Sequence, residues 1–89
     1  MTKRGKLEII KDILRIIQKS NGLIKPTPLL RKSGISSASF KEYYTELLQK
    51  ELIKEKTNPQ GKYINLTEKG FRFIERYKTI ISFIEEFDL

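Results

Sequence analysis

The stretch from Lys25 to Ser37, Lys25-Pro26-Thr27-Pro28-Leu29-Leu30-Arg31-Lys32-Ser33-Gly34-Ile35-Ser36-Ser37, narrows the fold more than any other part of the chain. Thr27 is a good N-cap, and Pro28 suits a first helical position, where its missing N–H costs nothing. A short helix from Pro28 to Ser33 is therefore expected, with Leu29 and Leu30 inward and Arg31 and Lys32 outward. Gly34 is a natural C-cap. Ile35 returns to the core, and Ser36 or Ser37 caps the next helix. Two short helices joined by a tight glycine-containing turn form a helix-turn-helix pattern.

The flanking segments extend this pattern. Leu7, Ile10, Ile13, Leu14 and Ile17 recur at three- and four-residue steps and predict a helix from Gly5 to Lys19, stopped by Ser20-Asn21-Gly22. Leu23-Ile24-Lys25 reads as a short strand. In the second helix of the pair, Ser37 to Lys50, the residues Phe40, Tyr43, Tyr44, Leu47 and Leu48 share one face. Ala38, Glu42, Thr45 and Gln49 lie opposite, flanked by Ser39, Lys41 and Glu46. Leu52 to Lys56 and Lys62 to Leu66 alternate apolar and polar side chains, and Thr57-Asn58-Pro59-Gln60-Gly61 is turn chemistry. Together they predict a β-hairpin with a five-residue connection. Thr67 then caps a last helix that runs to Phe87, with Glu68 in its first turn.

Size and composition restrict what such a chain can do. An 89-residue domain buries only ~60–65% of the surface its unfolded chain exposes, so the core is thin. With no Cys and no His, the chain has no disulfide, thiol nucleophile, zinc-finger ligand set or imidazole base. No acidic cluster has calcium-loop spacing, and no nucleophile or acid–base pair stands out. The chain is therefore read as a non-enzyme that needs no metal and no cofactor. No apolar run of about 18 residues marks a membrane span, and the basic start leads into a charged helix instead of an apolar signal segment. A cytoplasmic, nucleoid-associated protein is expected.

Charge is unevenly placed. Residues 1–56 carry 13 basic and 6 acidic side chains (+7), residues 57–79 carry 5 and 2 (+3), and residues 80–89 carry 0 and 3 (−3). A basic body of this kind suits a polyanion, and an acidic, apolar end suits a different partner. Phe73, Tyr77, Ile80, Ile84 and Phe87 step by four and three residues along the last helix, with Ile81 beside them, and form a seam for a second copy. Arg72, Arg76 and Lys78 precede the seam's acidic end, Glu85, Glu86 and Asp88, so an antiparallel pair sets opposite charges together.

The order helix, strand, helix, helix, strand, wing, strand, helix is that of a winged helix. The chain also resembles the small archaeal winged-helix DNA-binding proteins with an appended dimerising C-terminal helix. The resemblance rests on Lys6-Leu7-Glu8-Ile9-Ile10, on Gly34-Ile35-Ser36, and on Lys62-Tyr63-Ile64-Asn65-Leu66-Thr67-Glu68-Lys69-Gly70. It implies duplex DNA binding by a homodimer with antiparallel C-terminal helices, as a chromatin-type protein or local transcriptional regulator. The last helix here is shorter than in the long coiled-coil members. The expected fold class is α+β, mostly α. Residues 1–66 form the winged-helix DNA-binding part and 67–89 the dimerisation helix, within one structural unit.

The DNA surface expected from these residues has four parts. Ser36, Ser37, Ser39, Lys41 and Thr45 belong to the recognition helix, whose small start lets its end enter a major groove. Thr27, with Arg31 and Lys32, sits at a helix N-terminus that favours an anion. Lys56, Asn58, Gln60 and Lys62 make the wing, and Lys3, Arg4 and Lys6 a flexible basic arm. Two other readings fit the same pattern. One is a winged-helix protein-interaction module; the other is RNA binding, for which Tyr43 and Tyr63 are the stacking candidates.

Overall fold

The computed structural model of the chain describes residues 4–89. Four helices and one hairpin follow in the order α1 (Lys6–Lys19), α2 (Pro26–Ser33), α3 (Ser37–Gln49), β1 (Ile53–Asn58), β2 (Gly61–Leu66) and α4 (Glu68–Glu86). The expected Lys3 contact lies outside the described residues. The class is α+β, mostly α, as the periodicities require.

The core is built where the apolar stripes converge. Ile10, Ile13, Leu14 and Ile17 of α1 meet Leu29 of α2, Phe40 and Leu47 of α3, Ile64 and Leu66 of β2, and Ile74 of α4, all buried. No buried side-chain polar atom among the described residues lacks a partner.

Three expectations are corrected. The first concerns α2, which begins at Pro26 with Lys25 as its N-cap, so Thr27 lies inside the first turn and caps nothing. The reason is that Pro26 and Pro28 fall on the first and third helical positions, where neither needs an N–H, and the first helical bond runs from Leu29 N–H to the Lys25 carbonyl at 3.1 Å. The second concerns Leu23-Ile24-Lys25, which forms no strand of its own. Ile24 makes one antiparallel bridge to Ile64, with the Ile64 N–H on the Ile24 carbonyl at 2.9 Å. The third concerns the hairpin, which is tighter than the turn residues suggested. The register runs from Ile53↔Leu66 to Asn58↔Gly61, so only Pro59 and Gln60 lie beyond the last pair. Pro59 cannot take a positive φ, and the positive φ falls on Gly61 at 137°. The Asn58 side chain accepts from the Gln60 N–H at 2.8 Å and closes the turn.

The other boundaries follow local chemistry. Ser36 caps α3 by accepting from the Ser39 N–H at 3.2 Å, and Gly34 ends α2 in the left-handed region at φ 72°. Thr67 does two jobs. Its hydroxyl accepts from the Gly70 N–H at 3.0 Å, capping α4, and donates to the Glu51 carbonyl at 2.6 Å. That ties the start of α4 to the turn after α3. Gly70 is buried, and a Cβ there would collide with the Leu52 carbonyl oxygen, so only glycine lets α4 pass this close to the backbone just before β1.

Beyond Tyr77 the helix leaves the body, and residues 78–89 are all exposed. The Cα radius of gyration is 13.8 Å and the longest extent 50 Å. A compact chain of this length would have a radius of about 12 Å. The excess comes from the projecting end of α4.

Candidate nucleic-acid interface

The fold turns one face of α3 to solvent. Phe40 and Leu47 anchor the helix in the core, and Ser37, Ala38, Lys41, Glu42, Thr45 and Gln49 are exposed opposite them. Ser39 is half-buried. The Ser36 hydroxyl already holds the Ser39 N–H and keeps its own proton free to donate. Glu46 carries two cations: Lys50 Nζ lies 2.8 Å and Lys6 Nζ 3.0 Å from its Oε2. The hydrogen bonds from Lys50 and Lys6 hold its carboxyl below the ordinary value. Glu46 thus presents little net repulsion to an anion, whereas Glu42 has no cation paired to it among the described residues.

The wing is fixed against α3 by a pair that sequence periodicity did not expose. The Tyr44 hydroxyl donates to Glu55 Oε2 of β1. Burial, and then this hydrogen bond, push the Tyr44 phenol above its ordinary value. Lys62 Nζ stands 3.6 Å from the same carboxylate. Lys25 clasps the wing from the other side. Its Nζ donates to the Gln60 carbonyl at 2.9 Å and sits 5.4 Å from the centre of the Tyr63 ring. Nothing local marks Lys25 for this role, because its partner is 35 residues away. Phe40 and Tyr44 also stack, with ring centroids 5.6 Å apart.

These contacts sort the expected site residues. Lys41 and Thr45 lie together on the exposed face of α3, with Ser37 at its start, and Lys56 projects from β1; the two lysines form no ion pair among the described residues. Asn58 spends its side-chain oxygen and Gln60 its backbone N–H and carbonyl on shaping the wing, and Lys62 leans on Glu55. Arg31 and Lys32 are exposed at the far end of α2 from Thr27 and do not gather at its N-terminus. That N-terminus offers an anion less than expected, since two of its first three positions are prolines.

The basic arm is also different. Arg4 donates from Nη1 to Asp12 Oδ2 at 3.0 Å and from Nη2 to the Ser33 carbonyl at 3.2 Å, so it is tied to α1 and α2 instead of standing free. Lys6 is committed to Glu46. Partial burial raises the Asp12 carboxyl, but the hydrogen bonds and charges of Lys11 and Arg4 outweigh it and leave the group below its ordinary value.

On α4, Phe73 and Tyr77 are half-buried and stacked at 6.4 Å, with Lys11 Nζ 5.4 Å from the Tyr77 ring centre. They lean on the chain's own body and are only partly available to a seam. Ile80, Ile81, Ile84 and Phe87 are 54%, 36%, 37% and 56% exposed. Phe83 also faces solvent, with its ring 4.9 Å from that of Phe87.

A helix-turn-helix followed by a two-stranded wing and a closing helix defines the winged helix-turn-helix class, a DNA-binding fold. The sequence matches that family over residues 3–85, and the chain belongs to it. No curated protein sequence matches the chain. Among solved structures it is similar to Sso10a-2, a DNA-binding protein from Sulfolobus solfataricus, at 25% identity and a TM-score of 0.72, over 94% of this chain and 85% of that one. It is similar to F-93 of SSV1 at 26% identity and a TM-score of 0.67, over 96% of this chain and 99% of that one. The PcaV transcriptional regulator from Streptomyces coelicolor shares the fold at 18% identity and a TM-score of 0.75, over 90% of this chain and 58% of that one. No helix among the described residues is long and apolar enough to cross a membrane.

Proposed function

We propose that the chain binds duplex DNA as a homodimer and acts as a transcriptional regulator or chromatin-associated protein of the nucleoid. The observation that carries this reading is the exposed face of α3. Ser37, Ala38, Lys41 and Thr45 stand free on one side of a helix whose other side is locked into the core. Small residues at the start of α3 let it enter a major groove. Lys41 and Lys56 meet backbone phosphates on either side of that groove, and the Ser37 and Thr45 hydroxyls bond phosphate or base edges. The α3 face carries no Arg, so bidentate reading of guanine through this helix is not part of the mechanism, and most of the affinity is electrostatic. The likeness to Sso10a-2, a DNA-binding protein, supports the reading.

Dimerisation uses the free half of α4. Ile80, Ile81, Ile84 and Phe87 offer apolar area that the body leaves uncovered. Each such side chain buried contributes ~1.5–3 kcal/mol, enough across two copies to offset the entropy of association. Two-fold pairing in the antiparallel sense sets Arg76 and Lys78 beside the partner's acidic end.

A fluorescence-anisotropy titration of a random duplex at several salt concentrations tests the DNA reading. With three or four phosphates neutralised per protomer, the slope of log affinity against log salt is expected at roughly −5 to −7 for the dimer. A slope shallower than about −2 overturns it and favours the interaction-module alternative.

A further inference from the structure

A second basic surface lies beside the turn that leads into α3, on helices the proposed groove contact does not use. A hollow of about 310 Å³ opens between α1 and the carboxyl end of α2, and Arg4, Asp12, Arg15, Lys19, Lys32 and Ser33 line it. Four cations and one carboxylate give the lining a charge of +3 (4 − 1). The carboxylate is already taken: Lys11 stands 2.8 Å and Arg4 3.0 Å from the Asp12 oxygens. Arg15, Lys19 and Lys32 are exposed and form no ion pair among the described residues.

Ordinary helix chemistry accounts for some of these charges. Lys19 complements the carboxyl end of α1, as Lys32 does for α2. It does not account for Arg15, which lies in the middle of α1 and caps nothing. Arg15 and Lys19 are one turn apart and share a face, so their charges repel unless an anion comes between them. The guanidinium of Arg15 matches the oxygens of a phosphate in a bidentate way, and the two lysines add point charges. Arg4 connects the hollow to the recognition element. It bonds the Ser33 carbonyl, the last residue of α2, just before the turn that positions Ser36.

We infer that this hollow is a further backbone-phosphate site, separate from α3 and the wing, with Arg15, Lys19 and Lys32 as its cations. The inference rests on the duplex-binding reading above. The phosphodiester has two sources: the flank of the duplex that α3 already holds, or a second duplex brought alongside.

The test compares the full chain with Arg15→Glu combined with Lys19→Glu, by anisotropy on random duplexes of about one and about three helical turns (~12 and ~36 bp). For a flank contact, affinity for the longer duplex falls about tenfold or more. Its salt slope becomes shallower by about 2, while affinity for the shorter duplex stays within about threefold. For a second duplex, both affinities hold, and capture of a labelled duplex by protein on a bead-bound duplex is lost. Lys69→Glu reverses a charge on α4, outside both the hollow and the dimer seam, and is expected to leave both readouts in place. Arg15→Ala with Lys19→Ala repeats the comparison with a smaller loss, about threefold, should the reversal disturb folding. If the hollow variants keep long-duplex affinity and capture, or if the α4 variant loses them equally, the site is overturned and the DNA-binding reading stands. If the unaltered protein binds neither duplex, both fall together.

Discussion

Ile74 and Ile81 lie seven residues apart on α4 and face nearly the same way, yet Ile74 is 2% exposed and Ile81 36%. Both line the groove between α1 and α4, which also takes in Lys11, Arg15 and Tyr77. The difference is one of reach. At 1.5 Å per residue, the 14 residues of α1 run about 21 Å and the 19 of α4 about 28 Å, so the body ends before α4 does. The first half of α4 is held by the Thr67 cap, the close pass at Gly70 and the burial of Ile74. The second half shows the same apolar spacing and touches nothing comparable. An amphipathic pattern demands that a face be covered, and leaves open whether the cover is the chain's own body or another molecule.

Removing one isoleucine from each half separates the two environments. Ile74→Ala deletes a buried side chain and is expected to cost about 3 kcal/mol, read from urea unfolding at low protein concentration. Ile81→Ala under the same conditions should cost less than about 1 kcal/mol. A cost for Ile81→Ala that grows with protein concentration identifies a second copy as its cover. Equal costs at every concentration would mean that both halves are buried in the monomer, and the contrast would disappear.

Next in size is charge placed on the free half alone. Ile80→Glu with Ile84→Glu is expected to yield a monomer by light scattering, with the folded body intact by circular dichroism. Its affinity for a long duplex should fall about tenfold or more as the two-site gain is lost. A dimer that survives both changes would move the interface elsewhere.

Lys56→Ala acts on the wing and should weaken binding to all duplexes alike, about three- to tenfold, and flatten the salt slope by about 1. Unchanged affinity would remove the wing from the interface.

The smallest effect belongs to the Arg4 clamp. The folded-state value of Asp12 lies below its ordinary one, so its contribution is full above the unfolded carboxylate value, about 3.9, and is lost as pH falls through the folded value. Asp12→Asn should therefore lower stability by less than about 1 kcal/mol near neutral pH, discounted because Arg4 is 35% exposed. The gap between variant and parent, followed by thermal melts, should close below about pH 4. A gap that widens in acid would contradict the clamp.

Much of this molecule could be read from local chemistry. The helices, the hairpin and the inward faces of α1 and α3 follow from period; the Thr67 cap follows from residue type, which narrows the α3 cap to Ser36 or Ser37, and the fold uses Ser36. The start of α2 lies two residues before the one Thr27 suggests, because Thr27-Pro28 and Lys25-Pro26 both satisfy helix-start chemistry. The helix takes the earlier, where both prolines fall on positions that need no N–H. The site was less legible. Arg4 and Lys6 read as a free arm until the fold brings Asp12, Ser33 and Glu46 to them. Lys25 and Glu55 read as surface until the wing reaches one and Tyr44 the other.

Periodicity, capping and turn chemistry act within a few residues, so the elements, their order and their buried faces are set locally, and composition sets the basic balance. Which charges are spent within the protein and which stay unpaired depends on the packed fold. Arg4 and Lys6 are paired, whereas Lys41, Lys56, Arg15 and Lys19 form no ion pair among the described residues. An ion pair depends on a distance between residues far apart in the chain, and that distance is set by packing.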